Sequence, residues 1–271
     1  MSLKILAALL AAGFALGFPT QATAEVSANA TAIAAALDRS PSAVPENVPP
    51  CSTPTTPAPI STPASILSRA EGRAEEESFP SGLPSIGMWM ISPKGTPADW
   101  LGAPCGGKRL LEPINVIIVD LFAISDEDAT RRLLDACAKA EFPRRQGHSS
   151  GYHAIIGSQL FEQFPAGYKG SFSDALFVFA NDHGRLFGPL EWNGAYIFVG
   201  AFSRERFDVA AKVKHRFESF DRARDAFAQR LSESSVYKLS AFVQLGNAIL
   251  GDPALSTGDH DGIAVVLTSE R

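Results

Sequence analysis

Apolar residues fall into three regimes along this chain. From Ile5 to Phe18 they form an almost unbroken run behind Lys4. That run is short for a bilayer span and carries no positive charge at its far end, and Ala22-Thr23-Ala24 follows as a small-x-small cleavage pattern. Residues 1–24 are therefore predicted to be an export signal, with Glu25 as the mature start. Over residues 25–80 the periodicity disappears. Ala, Ser and Thr are interrupted by Pro41, Pro45, Pro49, Pro50, Pro54, Pro57, Pro59 and Pro63, the composition of an unstructured linker with local polyproline-II character.

From Leu83 onward, apolar positions return at the spacings of strands and helices. Residues 87–92 and 114–119 are apolar enough for strands. Ser125-Asp126-Glu127-Asp128 is a capping start with acid in the first turn, so a helix is expected over 125–140, stopped by Pro143. Strands are expected over 152–158, 175–180 and 195–204, the last two apolar on both faces and so central. Residues 209–217 alternate, with Val209, Ala211, Val213, His215 and Phe217 inward and Lys212, Lys214 and Arg216 outward. Phe220, Ala223, Phe227 and Leu231 repeat at helical spacing after Ser219, a cap residue. Residues 237–245 alternate again, as a strand or a helix, and 263–267 complete the pattern as a last buried strand. This order predicts an α+β fold, a mixed and mostly antiparallel sheet with helices packed on one face, in one domain over 83–271.

A net charge of −5 argues against a nucleic-acid partner and against binding anionic lipid through a basic patch. No second apolar run approaches a membrane span, so no integral membrane segment is expected once the signal is removed. The expected location is secreted or periplasmic. In that oxidising setting Cys51 and Cys105, both in loop sequence, are the candidate disulfide. Cys137 lies on the apolar stripe of the first helix as an inert thiol.

The polar residues offer several candidate sites. Gly147-His148-Ser149-Ser150-Gly151 fits the nucleophile-elbow pattern, but a helix and an Arg-rich loop precede it and a strand follows, so a polar turn is the better reading. Asp259-His260-Asp261-Gly262 has too few oxygen ligands for a calcium loop and fits a turn. Residues 181–189 carry the densest chemistry. There Asp182 is placed to orient His183, and Arg185 to fork onto a carboxylate or phosphate, in a loop leaving a central strand. His215 on an inward strand face, with His148 and Ser149 at a turn, would complete a small polar pocket. His148 and His153 lack the spacing of a metal motif, so neither metal nor cofactor is expected.

Residues 113–224 resemble the LssY C-terminal-like domain, found at the tail of some bacterial phosphatase-like membrane proteins and also in isolation. Pro113-Ile114-Asn115-Val116, the Arg-Leu-Phe within 182–187, Val199-Gly200-Ala201, His215-Arg216 and Asp221-Arg222-Ala223-Arg224-Asp225 carry the resemblance. It covers less than half of the chain, carries no catalytic residue set with it, and implies an accessory domain. The expected function is an exported, non-catalytic module binding a small anion or a cell-envelope component. The alternative is a secreted hydrolase using Ser149 with a histidine base.

Overall fold

A computed structural model describes residues 82–207 and 215–271. The export signal, the linker, Cys51 and residues 208–214 lie outside the described residues.

The architecture is dominated by sheet. Among the described residues there are two helices of 14 residues each, α1 (Asp126–Lys139) and α2 (Asp221–Ser234), against thirteen strands. β3 (Val116–Asp120), β4 (Arg144–Arg145), β7 (Ser171–Ser173), β8 (Asn181–Trp192), β9 (Ala195–Phe207), β11 (Tyr237–Gln244) and β13 (Ile263–Ser269) form the large sheet. Its order is β11-β13-β3-β9-β8-β7-β4, with β10 (His215–Ser219) paired to β9 as its eighth strand. A second sheet joins β1 (Asp99–Cys105), β2 (Lys108–Leu111) and β12 (Leu255–Ser256). A third is the pair β5 (His153–Ile156) and β6 (Gln159–Glu162). No described helix is long and apolar enough to cross a membrane.

This corrects the α+β expectation. The difference lies mainly in one segment. Residues 181–189, expected as a polar loop, are the first part of β8, a twelve-residue strand buried along most of its length. β8 turns into β9 through Asn193-Gly194, both at positive φ, the two-residue hairpin geometry that an Asn-Gly pair favours. Polar residues at inward positions break the apparent period, so the strand reads as a loop. Conversely, residues 175–180, expected as a central strand, are the turn between β7 and β8, and Leu176, Phe177, Val178 and Phe179 are exposed. Only seven residues separate the two antiparallel strands, so they must reverse the chain, whatever their apolarity.

Each face of the large sheet buries its own cluster. Successive residues of a strand point to opposite faces. On β9, Phe198 and Phe202 join Val116, Ile118, Leu186 and the apolar stripes of α1 and α2 (Ala129, Leu133, Phe227, Leu231). Ile197, Val199 and Ala201 point the other way, onto Ile117, Val119, Phe187, Met90, Ala154 and Ile156. Burying each large apolar side chain contributes roughly 1.5–3 kcal/mol. α1 starts where expected: Ser125 Oγ accepts the Asp128 N–H, and Asp126, Glu127 and Asp128 occupy the first turn. For α2, Ser219 Oγ accepts the Arg222 N–H at 2.9 Å. Gly184 is required by packing, because a Cβ there would lie 2.4 Å from the Phe202 ring.

Candidate functional site

The second face of the large sheet changes character along β8 and β9. It begins apolar at Phe187, Ile197, Val199 and Ala201 and becomes polar at Arg185, His183, Ser203 and Glu205. The register sets His183 opposite Ser203 and Asn181 opposite Glu205, so these side chains are neighbours. β10 adds His215, and the segment between β4 and β5 adds His148 and Ser149. Glu112, just after β2, and Trp100 of β1 close the other side. Trp100, Glu112, His148, Ser149, His183, Arg185, Glu205 and His215 line a cavity of about 170 Å³.

The structure thus brings His148, Ser149, His183, Arg185 and His215 to one place. Asp182 is not there. It points to the opposite face and pairs with Arg204 at 2.9 Å, its cross-strand partner, so it does not orient His183.

The imidazoles are stacked and poorly partnered. His148 and His183 lie ring on ring, 4.5 Å between centroids. His183 Nε2 meets Ser203 Oγ at 3.4 Å, and that hydroxyl also accepts the Trp100 indole N–H at 3.3 Å. His183 Nδ1 faces Glu205 Oε1 at 3.9 Å, too far for a hydrogen bond, and is buried without a partner. His148 Nε2 is likewise buried and unpartnered. His215 Nδ1 lies 2.9 Å from Glu205 Oε1, in ion-pair contact with that carboxylate. Glu205 Oε1 accepts the Asn181 amide at 3.0 Å.

Burial governs the protonation of the site. It pulls the His148 pKa down to about 4, helped by the charge of Arg185, and holds His183 well below the ordinary histidine range. Both rings are therefore neutral at neutral pH and carry a free lone pair. Burial pushes Glu112 up to about 7 against the pull of Arg185, and it raises Glu205 against the pull of Asn181 and His215.

Arg185 is not outward. Its guanidinium stacks on Tyr152 at 4.5 Å, lies 3.6 Å from Glu112, and donates to Ser149 Oγ at 3.0 Å and to the Ser149 carbonyl at 3.3 Å. The Ser149 hydroxyl thus serves Arg185 and the Tyr152 hydroxyl (3.1 Å). Among the described residues no imidazole is hydrogen-bonded to it.

The Asp259–Gly262 segment is a structural knot. His260, fully buried, is held by Asn247 at 2.8 Å and Asp221 at 3.2 Å. The Arg224 guanidinium sits between Asp221 and Asp261 at 3.2 and 2.7 Å, supplying the positive charge there. Ser219 and the Phe220 N–H both donate to Asp259.

Glu112, Glu205, Asn181, Ser203 and Trp100 were missed by sequence reasoning. A signal for Ser203 and Glu205 existed: along β9 the apolar inward positions 197, 199 and 201 are followed, at the same period of two, by a hydroxyl and a carboxylate. Phe177 marks the rim. Its ring is stacked on His215 at 6.3 Å and edge-on to His148 at 6.4 Å, and a Cβ on Gly147 would lie 2.5 Å from it. Comparison with family models, with curated proteins and with solved structures finds no match to this chain.

Proposed function

We propose that this chain is an exported, non-catalytic binding module and that its ligand site is the cavity between the polar ends of β8, β9 and β10 and the residues Trp100, Glu112 and His148. One observation carries the reading. Two imidazole nitrogens, His148 Nε2 and His183 Nδ1, are buried beside this space with no hydrogen-bond partner among the described residues. Leaving such a group unsatisfied costs roughly 1–3 kcal/mol, a cost that a ligand meeting those nitrogens would remove. The lining is fixed by strands rather than by long loops, which suits a preformed site. Its size suits a small ion or a compact ligand, not a polymer. The exposed Leu176–Phe179 turn, with Phe177 against His148 and His215, is the surface a cell-envelope component would meet first. The accessory role implied by the LssY C-terminal-like resemblance belongs to the same proposal.

The reading is tested by thermal shift of the full chain against a panel of divalent metal ions, phosphate, sulfate and short carboxylates. At least one should raise the melting temperature, by the equivalent of about 2.7 kcal/mol at a hundred times its dissociation constant. That shift should be lost in His183→Ala. If no member of the panel stabilises the protein, or stabilisation survives the substitution, the cavity is not the ligand site.

A further inference from the structure

We infer that His148, His183 and Glu205, with His215 beside them, form a binding site for a divalent transition-metal ion of the zinc class. The inference rests on the binding reading above and names the ligand of that same cavity.

The donor atoms are already gathered. One ligand atom from each of His148, His183 and Glu205 lies within 4.8 Å of the other two, and His215 Nδ1 lies 2.9 Å from the same Glu205 oxygen. A zinc ion with bonds of ~2.0–2.2 Å holds its ligand atoms ~3.3 Å apart in a tetrahedron, so even the widest pair of the cluster has to close by no more than ~1.5 Å. The donors come from four separate chain segments: the β4–β5 connection, β8, β9 and β10. Three of those are strands locked in one sheet, so the spacing is set by register rather than by a flexible loop.

The donor chemistry selects the ion. Imidazole nitrogens with one carboxylate suit zinc, copper or nickel, whereas calcium and magnesium demand oxygen ligands. The outer contacts are those of a metal site. Ser203 Oγ stands at His183 Nε2, where it can take that ring's N–H and leave Nδ1 as the donor; the Trp100 indole fixes Ser203 in turn. The Asn181 amide orients the Glu205 carboxylate. Arg185 faces Glu112 at 3.6 Å, which leaves Glu205 as the carboxylate beside the imidazoles. The His183 and Glu205 side chains are each about 95% or more buried, which distinguishes the cluster from an ordinary acidic surface patch.

The test uses the full chain stripped with chelator and then dialysed against Zn²⁺ or Co²⁺ alone. One equivalent of Zn²⁺ should bind, and Co²⁺ should give the intense visible absorption of tetrahedral coordination. Glu205→Gln and His148→Ala should each weaken binding by about 100-fold or more, at least what losing an outer-shell partner costs. His183→Ala should do the same where it folds, and Glu205→Gln, nearly isosteric, decides the matter where it does not. His153→Ala, outside the cluster, should bind as wild type. A wild-type chain that retains no Zn²⁺, or Glu205→Gln and His148→Ala variants that bind it unchanged, would overturn the metal assignment. Phosphate or sulfate binding without metal binding overturns the metal site and leaves the cavity reading standing; binding of neither removes both.

Discussion

Arg185 and Glu112 face each other at 3.6 Å, both nearly inaccessible to solvent, although they belong to strand systems of different sheets. Arg185 lies on β8 of the large sheet, and Glu112 follows β2 of the three-stranded one. The pair therefore ties the sheets together at the floor of the proposed site. It also makes the arginine structural.

Arg185→Ala should destabilise the protein by about 3–5 kcal/mol, the cost of stripping the partner from a buried charge. The penalty should be larger at pH 8 than at pH 6, because Glu112 takes up a proton near pH 7 and then no longer needs a counter-charge. Urea unfolding at the two pH values measures it. An Arg185→Ala variant as stable as wild type would show that the pair holds nothing together.

Glu112 gives a pH dependence of definite sign. Its pKa rises from 4.5 unfolded to about 7 folded, so the folded state binds the extra proton. Stability from this group is fully present below pH 4.5 and is lost as pH rises toward 7. Glu112→Gln mimics the protonated form. Between pH 4.5 and pH 8 its stability relative to wild type should therefore improve by about 3 kcal/mol, because each tenfold change in proton affinity is worth ~1.4 kcal/mol. Paired denaturation curves of variant and wild type check this. A gap that stays constant with pH contradicts it.

Tyr237 anchors β11 to the buried Asp120 at the end of β3. Its hydroxyl donates to Asp120 Oδ2 at 2.6 Å, beside Arg132 at 2.7 Å and Ser269 at 3.0 Å. Burial alone would raise the Asp120 pKa, but the bonds from Arg132 and Tyr237 outweigh it and hold the group below its usual 3.8. Tyr237→Phe should cost about 1.5–3 kcal/mol, as for a hydrogen bond to a charged group. With a depressed folded pKa, Asp120 contributes its stability above pH 3.8 and loses it as pH falls through the folded value. The Tyr237→Phe penalty should then persist at pH 5 and fade in stronger acid, which acid titration of both proteins would reveal.

The cysteines should divide by environment. Cys137 is a free, fully buried thiol whose pKa burial pushes far up, so a thiol reagent should label it only after unfolding. Cys105 is disulfide-bonded, and the predicted partner, Cys51, lies outside the described residues. Non-reducing peptide mapping of the exported protein should recover Cys51 joined to Cys105. Recovery of Cys51 as a free thiol would exclude that pairing.

Wherever burial followed a single period, the sequence alone determined the local element. The cap and stripe of α1, the 3.6-residue repeat of α2 and the doubly apolar runs of β3 and β13 all stand where their patterns put them. Their apolar side chains join the two hydrophobic clusters on the faces of the large sheet, so hydrophobicity and geometry point the same way. The Asn193-Gly194 hairpin carries an equally legible turn signal, masked by the polar residues before it, which suggest a loop. Only the tertiary structure decided the rest. His183, Arg185, Ser203 and Glu205 interrupt the apolar period of β8 and β9, and such side chains are buried only when partners from distant segments receive them. Those partners, Glu112, His148, Ser149 and His215, are separated from them by ten to more than ninety residues. Local pattern therefore set where α1, α2, β3 and β13 lie, while strand register decided which polar groups face one another. That register makes a cluster of unsatisfied imidazoles out of histidines that share no spacing along the chain.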